Sequence, residues 1–160
     1  MPPAGPDAYL RTKVMTAKPE ELRLMLIDGA IRFTEQARRG YETKDYEMSY
    51  VGTQKAQAIL LEIIGALRPE HAPELCKQVA ALYTFMFNSL VKASSTRDTS
   101  AVDDVLRLLR YERETWVMCM DQLSRENHAA SRMHETPQAV PAMAAPGQDG
   151  KVRQRIVLEG

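Results

Sequence analysis

Pro19-Glu20-Glu21-Leu22-Arg23-Leu24-Met25-Leu26-Ile27-Asp28-Gly29-Ala30 opens the stretch that decides the fold class. Proline suits the first turn of a helix, where its missing N–H costs nothing, and Glu20 and Glu21 suit the positive end of the helix dipole. An apolar stripe then runs Leu22, Met25, Leu26, Gly29, Ala30, Phe33, Ala37, Tyr41, in the steps of three and four that mark an amphipathic helix. Leu24, Ile27 and Ile31 form a second stripe on another face. Gly40 and the polar residues up to Lys44 are expected to end the helix.

Three further segments repeat this spacing. Asp45 is placed to cap a second helix, with Tyr50, Ala58, Leu61 and Gly65 on one side and Ala56, Ile59, Leu60, Ile63 and Leu67 widening that face until Pro69. Pro73 opens a third helix carrying Leu75, Val79, Leu82, Tyr83, Met86, Leu90 and Ala93. After a Ser, Thr and Asp-rich turn, Ser100 and Asp103 resemble a capping box for the fourth, which carries Val102, Val105, Leu106, Leu109, Trp116, Met120 and Leu123. Runs of β-branched residues separated by hairpin turns are nearly lacking. The expected fold is therefore all-α: an antiparallel four-helix bundle at residues 19–127, since short connections make neighbouring helices antiparallel. Which helices lie diagonally opposite is left open by the spacing.

The flanks read differently. Residues 1–18 are expected to form a flexible arm; Met1 to Val14 has three prolines and no apolar run, unlike a signal peptide. Residues 128–160 are expected to be a low-complexity, disordered tail, because residues 136–150 hold three prolines and two glycines, a composition that cannot bury a core. The last ten residues mix basic and aliphatic side chains, suiting either a free tail or a docking segment.

Lysine plus arginine and aspartate plus glutamate each number 21, so there is no basic surplus for nucleic acid or a membrane surface. The most apolar stretch, Ala56 to Leu67, is interrupted by Gln57 and Glu62 and is too short to span a bilayer. Cys76 and Cys119 stand far apart without a metal or disulfide spacing. They read as half-buried thiols in a reducing, cytoplasmic compartment.

Catalytic and cofactor chemistry find little support. His71 lies in a proline-flanked loop, and His128 and His134 lie beyond the expected bundle. There is no phosphate-binding glycine loop, no Gly-x-Ser-x-Gly elbow and no His-Glu-x-x-His pair. Di-iron bundles need Glu-x-x-His on facing helices; Glu70 is followed directly by His71, and Glu112 and Glu114 have no histidine three residues on. Asp103 and Asp104 fit a first helical turn for dipole reasons alone. The expectation is no enzyme, no cofactor and no metal.

Apolar surface, by contrast, is in excess. The first helix has two stripes, and the third adds Phe85 and Phe87 beside its own, whereas a bundle core takes roughly a third of each helix's circumference. The surplus suits a groove for partner helices or a thicker core, with nine methionines as adaptable filler in either case. Self-association into a structural bundle is the rival use of the same stripes.

Particular residues then carry a family resemblance. Ala8-Tyr9, Thr16-Ala17-x-Pro19-Glu20-Glu21-Leu22 and Leu24-Met25-Leu26-Ile27-Asp28-Gly29-Ala30 are followed by Phe33, Ala37 and Asp45. Lys55-Ala56-Gln57, Ile59 and Ile63 continue the pattern, as do Ala81-Leu82-Tyr83-x-Phe85-Met86, Leu90 and Ala93. Asp98, Val105, Leu109 and Arg113-Glu114-x-Trp116 complete it. In order and spacing, from Ala8 to Leu123, this resembles the flagellin export chaperones known as FliS. The chain departs from that family at Ile27, Lys18 and Phe85, where tyrosine, a capping Ser or Thr, and tyrosine are usual, and in its long tail. Lys18 cannot accept a backbone N–H bond, so the helix start is either looser or capped by Thr16.

The resemblance implies a cytosolic chaperone that clamps the C-terminal region of flagellin, disordered when free and helical when bound. It also implies a block on premature polymerisation and delivery to the flagellar export gate protein. It further implies an N-terminal lid, with Tyr9 supported by Leu10 and Val14, folded over the groove while flagellin is absent; Tyr9 as a loose tail residue is the alternative. Candidate groove positions are Tyr50, Ile59, Ile63, Tyr83 and Met86. Phe33, Leu82, Leu106 and Trp116 are assigned to the core, Gly29 to close helix packing, and Asp28 to solvent or a helix–helix polar contact. A weak homodimer is allowed; stable membrane insertion is not expected.

Overall fold

The computed structural model describes residues 5–134. Five helices make up the architecture: α1 Pro6–Thr16, α2 Pro19–Thr43, α3 Tyr46–Gly65, α4 Pro73–Thr96 and α5 Thr99–His134, with no strand among the described residues. The chain divides into two units at Ser124. The first holds the bundle of α2 to α5; in the second, the described residues are the exposed end of α5.

The helix ends follow local chemistry. At α2, the Glu21 carboxylate accepts the Lys18 N–H at 2.9 Å, so the acid supplies the cap that lysine cannot. Thr16 takes no part, because its hydroxyl donates to the Thr12 carbonyl. Asp45 caps α3 as expected, accepting the Met48 N–H at 2.9 Å. The start of α5 differs from the expected box: Asp98 accepts both the hydroxyl and the N–H of Ser100, at 2.7 and 2.8 Å. These bonds hold the Asp98 carboxyl below its ordinary range. Asp103 is drawn away to Arg38 of α2. Lys44 and Arg97 close α2 and α4 in the left-handed conformation.

α2 ends at Thr43, inside the expected stretch from Gly40 to Lys44, and Gly40 itself marks a crossing. A Cβ on Gly40 would lie 2.4 Å from the Ser49 nitrogen, and one on Gly52 would lie 2.6 Å from the Ala37 nitrogen. The two glycines let α2 and α3 meet backbone to backbone, which makes this pair a tight antiparallel hairpin.

The core gathers Ile27, Ala30, Ala56, Leu60, Ile63, Tyr83, Met86, Leu90, Val105 and Leu109. Three expected groove positions are thereby corrected: Ile63, Tyr83 and Met86 are at most 1% exposed and point inward. On α3 the inward line is Ser49, Gly52, Thr53, Ala56, Leu60 and Ile63, so Tyr50, Ala58, Leu61 and Gly65 face out. Small residues at the crossing, rather than the aromatic Tyr50, set which side turns inward.

α5 runs antiparallel to α2 along a polar seam. Arg113 Nε pairs with Asp28 at 2.6 Å, Arg110 with Glu35 at 2.8 Å, and Arg38 with Asp103. Trp116 closes the seam by donating its indole N–H to the Glu20 carbonyl at 2.9 Å, beneath the Arg23 guanidinium. Two boundaries move from their expected places. Residues 6–16 of the arm are helical, and α5 continues past Asn127 to His134. Good helix formers such as Ala129, Ala130, Arg132 and Met133 carry it on, and no proline intervenes before Pro137. The remainder of the expected tail, residues 135–160, lies outside the described residues.

Candidate functional site

The buried face of α2 cuts across its two stripes and leaves part of the first facing a groove. Ile27, Ala30, Thr34 and Ala37 are buried against the bundle. Leu22, Met25, Gly29 and Phe33 instead line a groove of about 550 Å³ with Ile59 and Glu62 of α3 and Leu10, Lys13 and Val14 of α1. The floor is shaped at Gly29, where an added Cβ would stand 3.1 Å from Ile59 Cδ1. The groove is thus apolar along its length and charged at its rim.

Arg32 and Lys55 gather at one end. Arg32 lies 4.8 Å from the centre of the Phe33 ring, and Lys55 of α3 lies 5.1 Å from it, within the range of cation–π attraction. Asp28, also at the rim, is taken up by Arg113. The roof, α1, buries none of its residues. Leu10 and Val14 turn toward the groove, whereas Tyr9 is 73% exposed and is not among the lining residues.

Of the positions expected at a groove, Ile59 lines it and Tyr50 is exposed elsewhere on α3. Phe33, expected in the core, packs against it half-buried and also lines the groove. Leu106 is in the core, while Leu82 and Trp116 pack against it half-buried. Leu22, Met25 and Gly29 were not singled out as groove positions. The available signal was the width of the apolar stripes of α2, more than a single core takes up.

A second, polar cleft of about 700 Å³ follows the α2–α5 seam, lined by Arg38, Arg39, Arg107 and Arg110 together with Glu35, Asp103 and Glu114. Its charges largely satisfy one another. The main buried ionisable group is Tyr83, whose hydroxyl lies 3.4 Å from Glu112. Burial, and then the Glu112 charge, push its pKa up to about 12. Among the described residues no cluster of His, Cys, Asp and Glu could hold a metal ion, and no helix is long and apolar enough to cross a membrane.

Comparison with known proteins gives this architecture its relatives. A family model described as "Flagellar protein FliS" matches residues 3–123. The flagellar secretion chaperone FliS of Bacillus subtilis is 30% identical over 123 residues, covering 77% of this chain and 91% of that protein. The proteins of the same name from Vibrio cholerae and Salmonella typhimurium are 26% and 31% identical, covering 73% and 71% of this chain and 83% and 87% of their own lengths. A bacterial flagellar chaperone known from its crystal structure shares the fold, with a TM-score of 0.62 and 16% identity over 72% of this chain and 97% of its own. With its helices, their order and the matched span in agreement, this chain belongs to the FliS family.

Proposed function

We propose that this protein is a cytosolic flagellar secretion chaperone that holds the C-terminal region of newly made flagellin in the α1-roofed groove of α2 and α3. The observation that carries this reading is the α2 face of Leu22, Met25, Gly29 and Phe33, which lines a groove roofed by a helix that buries none of its residues. An amphipathic helix laid in such a groove removes its own apolar stripe from water, and the same stripe is then withheld from self-assembly. A client that orders on binding spends part of the contact energy on that ordering, which keeps the complex releasable at the export gate protein. Leu10 and Val14 act as the lid that the client displaces. No catalytic step and no cofactor are required.

The test is co-purification of the full chain with flagellin and with flagellin lacking its C-terminal segment. A complex of about one to one that forms only with the intact client is expected. Equal capture of the truncated flagellin, or a stable oligomer of this chain that ignores flagellin, would overturn the proposal.

A further inference from the structure

The groove has a direction as well as a shape. Antiparallel register of α2 and α3 sets Gly29 against Ile59 and Phe33 against Lys55. One end therefore carries Arg32 and Lys55 around the Phe33 ring, and the other, by Leu22 and Met25, carries Glu62. Among the described residues, neither Arg32 nor Lys55 pairs with a carboxylate, so their charge is free to act on an occupant. From Leu22 to Phe33 the floor extends about 16 Å, or three helical turns.

The resident helix places one base in the same groove as Glu62. Leu10, Lys13 and Val14 line the same groove as Leu22 to Phe33, so the chain turns back across the extended residues Ala17 and Lys18. Asp7 precedes Leu10 by three residues and Val14 by seven, which places it on their face of α1. It lies in the first turn of α1, at the end remote from Ala17 and Lys18, and is not among the groove-lining residues. Lys13, in the last turn of α1, lines the same groove as Glu62.

We infer that the groove selects the charge polarity of the helix it holds, with an acid over Phe33 between Arg32 and Lys55 and a base beside Glu62. This rests on the proposed function for the identity of the client. It adds that the bound segment is an amphipathic helix of about three turns lying in one direction only, with its carboxylate at the Phe33 end. In the client's absence α1 covers the groove, with Lys13 lining it alongside Glu62. Its apolar contribution is only Leu10 and Val14, so a client with a longer stripe displaces it. Exposed charges of this kind contribute little individually, but together they set orientation and partner choice.

The experiment compares the full-length chain with the variant R32E/K55E/E62K, which reverses the polarity and leaves the apolar floor intact; all three positions are exposed. Hydrogen exchange of residues 6–16 in the client-free protein is expected to speed up severalfold in the variant. Flagellin binding is expected to weaken about tenfold at low salt, with the gap closing as the Debye length falls to about 3 Å near 1 M. Unchanged α1 exchange together with equal affinity at every salt concentration would overturn the inference. Failure of the parent chain to bind flagellin at all would instead overturn the proposed function, while α1 exchange would still test the polarity.

Discussion

Gly52 and Gly65 stand on the same helix and have opposite prospects as alanines. A methyl group at Gly52 would press on the Ala37 nitrogen at 2.6 Å and the Phe33 carbonyl at 2.7 Å, neither of which can yield without moving α2. Gly52→Ala is expected to cost about 2 kcal/mol or more. At Gly65 nothing lies within 4 Å, so Gly65→Ala is expected to be neutral or to stabilise by about 0.5 kcal/mol through helix propensity, tempered by its place in the last turn. Urea unfolding of the two variants checks both signs. Tyr83 yields a pH prediction. Its pKa rises from an ordinary value of 10.0 to about 12 in the folded protein, so the native state keeps a proton that the unfolded chain releases. Its contribution is complete below pH 10, declines as the pH climbs toward 12, and levels off beyond. Removing the hydroxyl with Tyr83→Phe should flatten that part of the stability profile. An equally steep decline in the variant would show that another group is responsible.

At the scale of the elements, α1 is the helix whose loss the bundle can best bear. It buries no residue, and its Leu10, Lys13 and Val14 line the groove. Deleting residues 1–17 is expected to leave the thermal midpoint within a few degrees of the parent while tightening flagellin binding severalfold, since the client no longer competes with a resident helix. Calorimetry and titration report the two quantities; a large drop in the midpoint would mean that α1 is structural. Helix existence was legible from spacing and punctuation, as Pro19, Asp45 and Pro73 show. The inward face of α3 was not. Ser49, Gly52 and Thr53 do much of the burying there, and small or polar residues leave no mark in an apolar count, whereas Tyr50 and Leu61 stand out and point to solvent. The groove was half legible for the same reason: two stripes on α2 announce a surplus, but the buried face takes Ile27 from one and Ala30 and Ala37 from the other.

For the molecule as a whole, the four-helix bundle was readable because its period is a local property of the chain. Tyr83 and Met86 were misplaced as groove residues because inside and outside are settled by packing partners distant in sequence. The crossing glycines have a further consequence, for the order of assembly. The α2–α3 hairpin closes through neighbours such as Gly40 and Ser49, while the ion pairs that seat α5 join residues 75 and 85 positions apart. Loop-closure entropy rises with the length closed, and contacts near in sequence form fastest. On a ribosome the hairpin carrying the groove floor is complete once Gly65 has emerged, well before α5 exists to cover the opposite side of α2. The binding surface is thus among the first parts of this protein to take shape during its own synthesis.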